Sequence, residues 1–190
     1  LRLNEMATGD QSGSWGTVTN TNLELIGEAF GYGTEAITTN ADTHTTTIAD
    51  GASDAGRSMF LKYTGTLDSA CTITIGPNTV SKMWFIENAT TGSQNIIISQ
   101  GSGADVTIPA GQTKSVYSDG AGAGAAFVDA FNSLSVGTLT SSGLTSSGIT
   151  YPTSDGTSGQ ALVTNGSGTV SFGSAGISTG KAIAMAIVFG

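Results

Sequence analysis

Charge is what this chain has least of. Its 190 residues include six Lys or Arg and 14 Asp or Glu, a charged fraction of 11 per cent, where ordinary globular domains carry about 25 per cent. The imbalance leaves a formal net charge of −8. Neutralising phosphate needs clustered Lys and Arg, so nucleic acid is excluded as a general partner, and the acidic sign argues against docking to anionic lipid. Histidine occurs once, as His44, and cysteine once, as Cys71. An intrachain disulfide is therefore impossible, and the single thiol says nothing of compartment. A zinc site built from one imidazole and one thiolate would need unusual carboxylate help. Any Ser/His/Asp or Cys/His catalytic arrangement would have to use His44, which stands in a run of threonines that reads as a strand. Long apolar runs are missing too. The longest, Ala182 to Phe189, falls far below the ~20 residues of a membrane-spanning helix. Nothing near the start joins a charged region to an apolar signal-peptide core. The chain opens on Leu1 rather than Met and is read as one that can continue upstream.

Small polar residues fill the space instead. From Ser133 to Gly190 the only charged side chains are Asp155 and Lys181, and Leu134, Leu139, Leu144 and Ile149 recur at an even spacing of five. One apolar residue per pentad gives a lone chain too little burial to offset its ordering entropy. Three copies wound about a common axis would supply it, so this stretch reads as an oligomeric fibre shaft.

Three regions follow. Residues 1–39 hold GSWGTVTNTNLELIGEAFGYG, which predicts a short helix capped by Asn20 or Thr21. Leu23, Ile26, Ala29 and Phe30 form its apolar face and Trp15 packs on it from just before its start. Residues 40–132 carry strand signals such as SMFLKYTG, CTITIG, KMWFIENAT, QNIIISQG and TKSVYSD, separated by turns such as DGASDAG, GPNT and DGAGAG. That spacing predicts an antiparallel β-sandwich or barrel-like domain. Residues 133–190 form the shaft, with QALVT and TVSFG as a hairpin about NGSG. The final run alternates Ile183, Met185 and Ile187 with alanines; it reads as an oligomerisation strand that would aggregate if left bare.

Catalytic and cofactor patterns fail one by one. GISTGKA has three residues between its glycines and Ala182 after Lys181, so it is not a phosphate loop. Asp50, Asp54 and Asp119 lie in glycine-rich turns whose spacing matches no EF-hand. The reading is a non-enzymatic protein without a catalytic, cofactor or metal site. Tyr32, Tyr63, Trp84 and Tyr117 leave a sugar-stacking surface as the competing idea.

The opening LRLNEMATGDQSGSWGTVTNTNLELIGEAF, through Gly9, Asp10, Gly13, Trp15, Gly16, Asn20, Asn22 and Leu25, resembles the N-terminal segment of tail fibre proteins of tailed bacteriophages. The stretch from RSMFLKYTGTL to TKSVYSDG resembles the β-domain that follows in them. TSDGTSGQALVTNGSGTVSFG, through Gly159, Gln160, Leu162, Asn165, Gly166 and Gly168, looks like a shaft motif common to many phage fibres. Gly56 stands before Arg57, where the pattern favours Ala or Glu. The resemblance implies a homotrimeric virion appendage, made in the host cytoplasm, that attaches by its N-terminal segment to other virion proteins of tail or capsid and serves host attachment. A head-decorating fibre is the near alternative, and a tailspike-like module binding or cleaving host surface glycan is the alternative of another class. Neither nucleic acid nor membrane insertion is implied.

Overall fold

A computed structural model of the chain describes residues 1–138, 141–176, 183 and 186–188. The chain divides into two compact units, Leu1–Leu134 and Ser135–Gly190. It is mainly β, with one N-terminal helix, α1 (Trp15–Ala29). Among the described residues no helix is long and apolar enough to cross a membrane.

The first unit winds as a flattened coil. Strands β1 (Tyr32–Ala36), β3 (Phe60–Thr64) and β5 (Lys82–Asn88) stack in one sheet, whereas β2 (Thr43–Thr47), β4 (Cys71–Gly76) and β6 (Ile96–Ser99) stack in a second. Each consecutive strand crosses to the opposite sheet, so neighbours within a sheet come from successive turns of the coil and run parallel. The register advances 28 residues from Tyr32 to Phe60, then 25 from Phe60 to Phe85. Three strands then reverse direction: β7 (Val106–Ile108) pairs antiparallel with β6, β8 (Thr113–Ser118) with β5, and β9 (Phe127–Asp129) with β8. Two sheets about one core agree with the sandwich-like expectation, whereas the parallel pairing among β1–β6 corrects the expected antiparallel one. Alternation of apolar and polar residues records only that one face of a strand is buried. It is the same whether the next strand in the chain is a hairpin partner or lies across the core.

Inward side chains form ladders between the sheets. Leu61 stands beside Ile86, Tyr63 beside Asn88, Ile73 beside Ile98 and Cys71 beside Ile96, and all eight are buried. Trp84 and Phe127 pack with ring centroids 5.5 Å apart. Trp84 Nε1 donates to the Gly56 carbonyl at 2.8 Å, which satisfies its one donor inside the core. Asn88 is the polar strut of the interior. Its amide donates to the carbonyls of Gln94 and Ile108 at 3.0 Å each and its oxygen accepts from Thr90. The arch between β5 and β6 closes tightly at Gly92. There φ is +97° and a Cβ would stand 1.8 Å from the Leu67 carbonyl oxygen, so only glycine fits.

The two outer faces differ in chemistry. Across the second sheet the outward positions are mostly threonine: Thr43, Thr45 and Thr47 on β2, and Thr72 and Thr74 on β4. Across the first sheet they include large apolar side chains: Tyr32, Phe60 and Phe85 share one register row, while Met83, Tyr117 and Val128 share another.

The second unit holds two small antiparallel sheets. One pairs β10 (Thr145–Ser146) with β11 (Ile149–Thr150), and the other pairs β12 (Gln160–Thr164) with β13 (Val170–Ser174). The expected hairpin of QALVT with TVSFG is therefore present, with Leu162 opposite Phe172. In the last run the described residues Ile183 and 186–188 are helical, where alternation with alanine predicts a strand. Alanine favours helix.

Candidate functional site

The N-terminal motif separates into parts that shape the chain and parts left open. Gly9 and Gly13 take φ of +89° and +86°. Asp10 closes the turn by accepting from the Ala7 N–H at 3.1 Å. The Gln11 carbonyl then accepts from both Ser14 and Trp15 N–H groups, which starts α1 at Trp15, well before the expected cap at Asn20 or Thr21. Asn22 clamps the N-terminal segment, its amide donating to the Asn4 carbonyl and accepting from the Asn4 N–H, each at 2.9 Å. Leu25 and Ala29 are the buried residues of the helix. Leu23 and Phe30, expected on its inner face, are exposed, because the surface the helix covers lies under the Leu25 and Ala29 row. Trp15 does not pack on the helix but forms its first residue, 66 per cent exposed. Gly9, Asp10, Gly13 and Asn20 of the motif are exposed as well, and Gly16 is half-buried.

Arg57 ties this segment to the coil, and sequence reasoning missed it. It lies in a 3-10 turn, Ala55–Arg57, whose N-cap Asp54 accepts from the Arg57 N–H at 2.7 Å. The guanidinium is 1 per cent exposed. It donates to the carbonyls of Leu1, Ala49 and Ala52 and stands 3.3 Å from the Asp54 carboxylate and 3.8 Å from that of Glu28 on α1. Three chain segments thus converge on one planar donor fork.

A second polar cluster lines the first turn of the coil, where the inward strand positions Glu35, His44 and Thr46 are polar, ahead of the core residues Ile37 and Ile48. His44 Nε2 and Glu35 Oε1 lie 2.7 Å apart. Thr46 shares a 2.7 Å hydrogen bond with the Tyr63 hydroxyl, and the His44 and Tyr63 rings meet edge to face. Burial pushes the Tyr63 phenol far up from its usual range, and burial followed by nearby Asp42 raises the Cys71 thiol. Both therefore stay protonated and unreactive at neutral pH. Tyr63 and Trp84 are fully buried, which removes them from the sugar-stacking surface; Tyr32 and Tyr117 remain exposed. The turn carboxylates are each engaged by the chain: Asp50 pairs with Arg2, Asp54 with Arg57, and Asp119 accepts from Ala121 and Ala126 N–H groups, which hold its carboxyl low. Among the described residues no three His, Cys, Asp or Glu side chains gather at one point.

Buried titrating groups give the first unit a signature. Lys82 donates to the carbonyls of Arg57 and Ser58 and stands 4.9 Å over the Trp84 ring. Desolvation holds its ammonium down to about 8, against the opposing pull of Asp54. Above that value the unfolded chain binds a proton at Lys82 that the folded chain has released, so stability rises with pH. Cys71 and Tyr63 have the opposite sign. Their raised values mean that the unfolded chain loses the proton first, and stability falls once pH passes their ordinary values of 9.0 and 10.0. Thermal melts are expected to show Tm rising gently from pH 8 to 9 and dropping above 10, with Cys71→Ala moving the onset of the drop upward. A profile that falls steadily from pH 8 would contradict the Lys82 assignment.

In the second unit, no described residue is buried. Leu144 immediately precedes β10 and Ile149 opens β11; both are exposed, as are Leu162, Val163, Ile183 and Ile187, and Leu134, at the end of the first unit, is exposed as well. Leu139 and Met185, the other residues expected at the shaft interface, lie outside the described residues. Comparison of the chain with family models, with curated proteins and with solved structures finds no match.

Proposed function

We propose that the chain is a non-enzymatic structural protein of a virion appendage, a homotrimeric tail fibre or fibre base of a tailed bacteriophage that serves host attachment. The observation that carries this reading is the second unit's lack of any buried described residue, although Leu144, Ile149, Leu162 and Val163 are apolar and 38–52 per cent exposed. Paired strands without a core are marginal in water, and burial against copies of the same segment is the economical remedy. The resemblance of the N-terminal motif and of TSDGTSGQALVTNGSGTVSFG to phage fibre segments supports the same reading. The uncovered Trp15 and the turn before it would then meet other virion proteins.

The test is the mass in solution of the full chain and of a version ending at Asn132, which keeps the whole buried core. A full chain of three copies and a shortened chain of one copy are expected. A full chain that is already a monomer at micromolar concentration would sink the fibre reading.

A further inference from the structure

The outer face of the first sheet is out of character for an acidic, sparsely charged chain. Tyr32, Phe60 and Phe85 lie side by side across β1, β3 and β5, with the two Phe rings stacked at 4.7 Å and 13°. Met83, Tyr117 and Val128 continue the apolar band across β5, β8 and β9. Large apolar side chains contiguous on a surface mark an interaction site. The outward charges on these strands are Lys62 and Glu87, which neutralise one another at 3.5 Å. On a chain of net charge −8, this face carries none.

We infer that this face packs against copies of the same chain, forming a collar within the trimer. The inference rests on the fibre reading above. Composition chooses the occupant: aromatic and methionine side chains are what contacts between protein chains enrich, and Phe60, Met83 and Tyr117 are all exposed here. Charge points the same way, because like-charged chains approach most easily through a neutral patch and Lys62 can exchange its own Glu87 for a neighbour's. Area fits as well: four half-exposed large side chains offer on the order of 400 Å², about half of the ~800 Å² per partner of a standard interface, leaving the shaft to supply the rest. A glycan fits the face less well. Phe60 and Phe85 cover each other's ring faces, and Met83 offers no hydrogen bond to a hydroxyl.

Two methionines make a built-in comparison. Met6 is 41 per cent exposed and Met83 is 43 per cent exposed, so in a single chain peroxide should oxidise them at similar rates. In the full-length trimer, sulfoxide formation at Met83 is expected to be at least fivefold slower than at Met6. In full-length Phe60→Lys/Tyr117→Lys, whose substitutions sit on the outer face, the two rates should converge and the trimer should dissociate at higher protein concentration. A trimer in which Met83 oxidises as fast as Met6 would overturn the collar and leave the fibre reading standing. A monomeric full chain would overturn the fibre reading itself, and the collar with it. Protection of Met83 that appears only when host polysaccharide is added would overturn the collar in favour of a glycan site.

Discussion

Replacing Arg57 with methionine is expected to destabilise the first unit by about 3–5 kcal/mol, the cost of breaking a buried ion pair by removing one partner. The effect is large because one side chain satisfies so much. Its guanidinium serves the carbonyls of Leu1, Ala49 and Ala52 and faces two carboxylates. Methionine has similar bulk but donates nothing, so the three carbonyls lose their donor, and the nearly buried Asp54 loses its counter-charge while keeping the N–H groups of residues 49 and 57. A melt should show Tm lower by on the order of 10–20 °C. Arg57→Lys is expected to recover little, since a single ammonium cannot reach acceptors spread over three segments. A loss below about 1 kcal/mol for Arg57→Met would mean that water replaces the guanidinium and that the cluster is not the clasp described here.

Strand positions were readable because a half-buried strand must alternate. CTITIG and KMWFIEN were marked by that pattern and form β4 and β5. The direction of pairing was not readable, because in this coil the hydrogen-bonding partner lies about 25 residues away rather than across the next turn. One signal was available: Phe60 and Phe85, Thr66 and Thr91, and Cys71 and Ile96 share an offset of 25. It is faint, since the first turn puts Gly33, Glu35, His44 and Thr46 where the second has Leu61, Tyr63, Ile73 and Ile75. Those polar substitutions belong to the end of the stack, where the interior has no further rung to pack on. Arg57 was invisible for a different reason. A lone arginine in a glycine-rich turn looks solvated, and only the return of the N-terminal segment and α1 buries it. Within the N-terminal motif, the residue types were informative at Asn22 and Leu25, which hold the segment in place. Trp15 misled, because its size suggested burial while the fold leaves it outside.

Leu144→Asp together with Ile149→Asp in the full chain is expected to abolish the trimer, raising its dissociation constant by on the order of 10³-fold or more, since ionised carboxylates have no partners in an apolar axis. Neither position can disturb the first unit's core, because both lie in the second unit and are exposed within one chain. The variant therefore separates assembly from folding: the melt of the first unit should be retained while the mass falls to one copy. Leu144→Met with Ile149→Val, which keeps apolar character, should remain trimeric. Acid provides a further check of mechanism. The introduced carboxyls bind protons more tightly when buried, so lowering the pH towards 4 should restore part of the association in the double Asp variant. Association that is equally strong at neutral pH in the double Asp variant would place the contact between copies away from Leu144 and Ile149, and would leave the even spacing of apolar residues in this stretch without a physical role.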